Sequence, residues 1–163
     1  MQFNEVFLFA CAPVPLWRLL MDVREVADCM EGVGDLTLVD DDTFHGTLRV
    51  TMGPIGFAFG GEVRVVAREH ATFTAALTAH ALDRKAGGGF QCELTMRIVQ
   101  LAAAQSELDI LLTTDFLGRV GQLGRPLIKK KIATMLNDFA QQVQARCAPS
   151  AVAVLATAVA GTP

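Results

Sequence analysis

Residues 119–147 read RVGQLGRPLIKKKIATMLNDFAQQVQARC, and the spacing within them decides the fold. Val120, Leu123, Leu127, Ile128, Ile132, Met135, Leu136, Phe139 and Val143 recur at steps of three and four, the period of one long amphipathic α-helix. Pro126 lies in its first two turns and either marks the true start or kinks the helix.

Upstream of this stretch the period is two. Phe90, Cys92, Leu94, Met96 and Ile98 alternate with Gln91, Glu93, Thr95 and Arg97; Phe44, Leu48, Val50 and Met52 alternate with His45, Thr47, Arg49 and Thr51. Both runs read as half-buried antiparallel strands. Phe57 to Arg68, Thr72 to His80 and the run through Leu108, Ile110, Leu112 and Phe116 extend the series, with a tight connection at Gly53-Pro54-Ile55-Gly56. Gly60-Gly61 inside one strand suggests a bulge or bend that curves the sheet. Phe3 to Ala10 reads as a first strand. Two short helical segments follow, one opened by Pro13 and Pro15 with Leu16, Trp17, Leu19 and Leu20 at helical spacing, the other from Val23 to Cys29 and closed by Gly32 and Gly34. The expected fold is α+β, with about seven antiparallel strands in a curved sheet, two short helices after the first strand and the long helix laid across one face.

Length and composition narrow the function. A chain of 163 residues is about one domain, and no stretch before residue 147 resembles a linker. Residues 1–147 are therefore expected to form the domain and 148–163 an uncharged apolar tail. Apolar residues make up 52% of the chain and charged residues 19%, with mean hydropathy +0.38. This is more apolar than a domain of that size needs for its core, so part of the surplus is expected to face a ligand, a partner or a membrane. The net charge of −3 excludes the basic footprint of a general nucleic-acid binder. Charge is unevenly spread. Asp22 to Asp42 carries eight acids and one base, and Arg119 to Arg146 six bases and one acid. Such polarity either orients a partner or an anionic surface, or describes two ordinary solvated faces.

The inventory for catalysis is thin. Ser106 and Ser150 are the only serines, neither in a Gly-x-Ser-x-Gly elbow, and there is no tyrosine. His45, His70 and His80 occur singly, without a metal-ligand spacing, and read as surface or strand-facing residues. Gly87-Gly88-Gly89 lacks the Lys-Ser/Thr of a phosphate loop. Cys11, Cys29, Cys92 and Cys147 are widely spaced and read as reduced, buried thiols. Met1 to Ala12 contains Glu5 and no basic region before its apolar run, unlike a signal peptide, so a cytoplasmic location is expected. No cofactor, metal or catalytic residue is expected.

Ala12-Pro13 followed by Leu16-Trp17, Cys29-Met30-Glu31-Gly32, Val50-Thr51-Met52-Gly53-Pro54-Ile55, Phe59-Gly60-Gly61-Glu62-Val63, and Gly118-Arg119-Val120-Gly121-Gln122-Leu123-Gly124 form an ordered set over almost the whole chain. On this set the sequence resembles the G-subunit family of carbon monoxide dehydrogenase, within the helix-grip, START-like (SRPBCC) superfamily. Glu31 is a departure, since members commonly have proline there. The resemblance implies a cavity between sheet and helix for a hydrophobic small molecule, a quinone or lipid. It also implies an accessory role: recruiting a molybdenum hydroxylase of the carbon monoxide dehydrogenase type, with peripheral contact at the inner membrane face. An assembly factor without a ligand, or cofactor-free chemistry in the pocket, are the alternatives.

On the binary pattern Phe57, Phe59, Leu94, Met96, Leu112, Leu123, Leu127 and Met135 face the interior, where they either line such a pocket or fill an ordinary core. Arg125, Lys129, Lys130 and Lys131 are the candidates for membrane or partner contact. The tail has about 11 apolar-rich residues, short of the ~20 of a membrane span. It reads either as a disordered or packed tail or as an interfacial segment.

Overall fold

The alternation seen in the sequence becomes a seven-stranded antiparallel sheet in the computed structural model, which describes residues 1–147. In chain order the elements are β1 (Gln2–Phe9), α1 (Pro13–Met21), α2 (Val23–Asp28), β2 (Val33–Asp40), β3 (Thr43–Met52), β4 (Ile55–Glu69), β5 (Thr74–Asp83), β6 (Gly88–Ala102), β7 (Gln105–Gly118), α3 (Arg119–Gln122) and α4 (Arg125–Cys147). The sheet order is β1-β7-β6-β5-β4-β3-β2, so the first strand closes against the last and β1 and β2 are the edges. Because side chains alternate across a strand, one face of β3 and β6 is apolar and turns toward α4 while the other meets solvent.

The C-terminal segment is two helices, where the period suggested one. Gly124 adopts φ +90°, a left-handed turn that ends α3 at little steric cost, and Pro126 then sits in the first turn of α4, where its missing N–H needs no partner. Pro126 therefore marks a helix start and not a kink. From there Ile128, Ile132, Met135, Phe139 and Val143 form the stripe that α4 lays on the sheet.

Gly60-Gly61 forms no bulge. Both glycines pair in unbroken register with β3 and β5, and the irregularity in β4 lies instead between Val65 and Ala67. A Cβ on Gly61 would collide with the carbonyl oxygen of His80 and with Ala81, so glycine is required there by the close approach of β5.

The reading of four reduced thiols is corrected for two of them. Cys11, just after β1, and Cys147, the last residue of α4, are joined as a disulfide with Cα atoms 6.2 Å apart. Sequence spacing holds no sign of it, because the two positions meet only when α4 has crossed the whole sheet. Cys29 and Cys92 remain thiols. Burial raises both above the ordinary thiol range, Cys92 to about 11, so both stay protonated near neutrality.

Candidate ligand cleft

Helix α4 rests on the inner face of the sheet through two separate apolar clusters. Near its start, Ile128 and Val120 pack with Val50, Met52, Phe57, Phe59 and Ala81. Phe57 and Phe59 stack with ring centroids 5.0 Å apart, and Phe90 meets Phe59 edge-on at 5.2 Å. Near its end, Val143 and the Cys11–Cys147 pair pack with Phe9, Leu16, Trp17, Cys29, Ile98, Leu108 and Ile110. Between the clusters the inner face is less tightly closed. Leu112, Leu94, Leu77 and Val65 are direct register partners across β7, β6, β5 and β4, and all four are only half-buried although they are apolar and face the helix. These three leucines and one valine are the part of the inner face that packing leaves partly accessible.

The eight residues expected to line a pocket all lie along the helix–sheet layer but do not converge on one point. Phe57 and Phe59 are 3% and 2% exposed and belong to the first cluster, with Leu123 and Met135 packed against it. Leu94 and Met96 pack against the second cluster. Leu112 sits in the row between them, and Leu127 lies over Gly53 at the β3–β4 turn, half-buried.

A second feature, not anticipated from the sequence, is an open cleft of about 640 Å³ at the other end of β3. Its apolar floor is Trp17 and Met21 of α1, Leu38 of β2 and Phe44 of β3; Arg18, Arg24, Arg68, His70, Asp22 and Asp41 stand around it. Phe44 is the register partner of Val63, two residues from Val65, so the cleft lies beside the β4 end of the half-buried row. Arg68 is ion-paired with Asp42 in the β2–β3 turn, and Asp22 accepts from the N–H groups of Arg24 and Glu25 as the N-cap of α2.

The indole Nε1–H of Trp17 donates to Nδ1 of His70 at 2.7 Å, with the two rings edge-to-face at 5.3 Å. Trp17 is 5% exposed, so this bond satisfies a buried donor. Indole can only donate, so Nδ1 of His70 must present its lone pair, and the neutral ring carries its proton on Nε2.

The opposite end is basic. Arg125, Lys129 and Lys130 are exposed and Lys131 is half-buried, and among the described residues none forms an ion pair within 4 Å. Asp40 to Asp42 lie at the other end of β3, a strand of 10 residues that spans about 30 Å. Arg146 does not belong to the basic patch, because it pairs with Glu25 at 2.7 Å and Asp28 at 3.9 Å and ties α4 to α2. Among the described residues no helix is long and apolar enough to cross a membrane. The expectations for 148–163 fall outside the described residues.

No curated protein is a significant sequence match to the chain. Solved structures share the fold. A conserved protein from Geobacillus kaustophilus superposes with a TM-score of 0.84 at 16% identity, over 92% of this chain and 97% of that one. A START superfamily protein from Mycobacterium smegmatis gives 0.68 at 12%, over 90% and 96%. The Zhui aromatase/cyclase from Streptomyces sp. R1128 gives 0.62 at 14%, over 90% and 93%. The helix crossing a curved antiparallel sheet is thus the START-like arrangement expected from the sequence. The family model for the G subunit of carbon monoxide dehydrogenase (CoxG) matches residues 10–148, nearly the whole described chain, and the protein belongs to that family.

Proposed function

We propose that this protein is a non-catalytic binding subunit that holds a hydrophobic small molecule, a quinone or a lipid-like molecule, between α4 and the sheet. It would thereby recruit a carbon monoxide dehydrogenase-type molybdenum hydroxylase to a membrane. The half-buried row Leu112–Leu94–Leu77–Val65 carries the reading. Burying about 300 Å² of apolar ligand surface there would contribute roughly 7 kcal/mol at 25 cal/mol/Å² before binding entropy is subtracted. Leu94, Met96 and Leu112 would touch the ligand's middle, with Phe57, Phe59, Leu123, Leu127 and Met135 forming the wall toward the start of α4. Arg125, Lys129, Lys130 and Lys131 would meet an anionic membrane surface or an acidic partner, from the cytoplasmic side. Mass spectrometry of a solvent extract of the protein from its native source tests the ligand. A stoichiometric quinone or lipid is expected, and an empty extract together with no uptake of decylubiquinone overturns the reading.

A second reading, an assembly factor without a ligand, is favoured by the outer face of β1. Val6 and Leu8 are 59% and 61% exposed there, an apolar surface that a protein partner would cover. Deleting 148–163 and measuring pelleting with vesicles separates the two, since a pure assembly factor is indifferent to the tail.

A further inference from the structure

We infer that the cleft beside Trp17 holds the polar end of the ligand, and that Nε2–H of His70 selects an uncharged oxygen acceptor there, such as a ring carbonyl. This rests on the reading of the helix–sheet slot as the site for the apolar body. Three observations support it. Phe44 lines the cleft and pairs with Val63, two residues along β4 from Val65 of the half-buried row, so a ligand reaching from one to the other would pass over Phe44. Its floor is apolar and aromatic, suited to a flat ring, while its rim is polar. His70 lines the cleft and is held by a buried donor, which leaves the opposite ring nitrogen as a preset N–H donor.

The charge count favours a neutral acceptor over an anion. Arg18, Arg24 and Arg68 are matched by Asp22, Asp41 and Asp42, so the cleft has no net positive field to draw a carboxylate or phosphate. Recognition then falls to a directed hydrogen bond. His70 is exposed in the open cleft, so the gain comes when a bound ring covers it: a ligand with the acceptor keeps the Nε2–H bonded, and an analogue without one displaces its water and leaves it unpaired.

The test compares decylubiquinone, which has ring carbonyls on an alkyl tail, with diphenylhexatriene, which is apolar throughout. His70→Phe should weaken decylubiquinone about tenfold in calorimetry and leave diphenylhexatriene fluorescence titrations within about twofold. His70→Gln, which can accept from Trp17 through Oε1 and donate through its amide, should restore most of the affinity. Equal decylubiquinone affinity in wild type and H70F overturns the inference, as does wild-type protein that takes up diphenylhexatriene but not decylubiquinone; the slot itself survives both results. Wild-type protein that binds neither probe removes the slot and this inference together. A measurement on the unmutated protein stands beside these. The Trp17 indole N–H resonance, from the chain's only tryptophan, should move on adding decylubiquinone and stay fixed with diphenylhexatriene. A resonance unmoved by bound decylubiquinone also overturns the inference.

Discussion

Cys11 and Cys147 are 136 residues apart in sequence and bonded in the fold, so the strand that opens the sheet and the helix that crosses it are closed into one loop. The junction is fastened twice more. Gln144 Oε1 accepts from the N–H of Ala10 at 2.8 Å, and the buried hydroxyl of Ser106 donates to the carbonyl of Cys11 at 2.7 Å. These contacts fix the end of α4 over the second cluster, next to Leu94 of the half-buried row.

Removing that tie should loosen the fold measurably. Chain-entropy arithmetic for a loop of this length gives about 5 kcal/mol as an upper figure, and native disulfides commonly contribute about 2–4 kcal/mol. Cys11→Ser with Cys147→Ser should therefore lower the urea midpoint substantially, and a reducing agent should do the same to wild type but not to the double variant. The redox state in protein isolated under thiol-trapping conditions also bears on location. A reducing cytoplasm would keep both as thiols, so a disulfide in that preparation would count against the cytoplasmic placement proposed above.

Acid should weaken the fold in part through Asp83. Its buried carboxylate accepts from the N–H groups of Ala58 at 2.8 Å and Ala86 at 3.0 Å, holding β4 to the β5–β6 turn. Those bonds, Ala58 first, hold its pKa below the ordinary carboxylate value. With the folded pKa depressed, the unfolded chain binds more protons in the window between the two values. The contribution is present above the unfolded pKa, about 3.9, and is lost as pH falls through the lower folded one. Urea midpoints measured from pH 5 down to pH 2 should therefore drop less steeply in Asp83→Asn than in wild type. Parallel curves would remove Asp83 from the acid response.

How much of this was readable beforehand follows from the range of each signal. The faces of β3 and β6 were legible because alternation is local: His45, Thr47 and Arg49 turn outward and Phe44, Leu48 and Val50 inward within a few residues. The stripe of α4 was legible for the same reason. The break before α4 had a signal in Gly124 and Pro126, but apolar spacing runs across it and concealed it. A glycine pair reads alike whether the strand bulges or another backbone crowds it, and Gly60-Gly61 is the second case. The cleft was not legible. Trp17 and His70 are 53 residues apart, Arg24 and Asp41 counted only within the acidic stretch Asp22 to Asp42, and Arg68 was only the end of a strand. A tryptophan in a helix whose indole N–H needed a partner was the one available hint.

The slot and the core beside it should respond oppositely to mutation. Phe59 is nearly fully buried between Phe57 and Phe90, so Phe59→Ala should destabilise by about 3–5 kcal/mol through the cavity it leaves. Leu94 borders accessible space, so Leu94→Phe should change stability by less than about 1.5 kcal/mol while filling the slot and displacing the ligand. Denaturation curves and probe binding on both variants check this. A severe loss of stability in L94F would mean that the row is packed core.

Membrane contact through α4 makes a prediction in ionic strength as well as in mutation. Lys129 and Lys130 are exposed and unpaired among the described residues, and a cation near an anionic bilayer contributes about 1 kcal/mol. Removing both charges in K129Q/K130Q should weaken sedimentation with vesicles containing phosphatidylglycerol by about 30-fold and leave binding to neutral phosphatidylcholine unchanged. Arg146→Gln is the control. Its guanidinium is already engaged by Glu25 and Asp28, so its loss should disturb the α2–α4 contact without changing vesicle affinity. Raising salt from 0.1 M to 1 M should abolish the difference between wild type and K129Q/K130Q, because the screening length contracts from about 10 Å to about 3 Å. Equal sedimentation of the two proteins at low salt would assign the basic turn of α4 to a protein partner, and pull-down with the hydroxylase subunits would then be the measurement that K129Q/K130Q impairs.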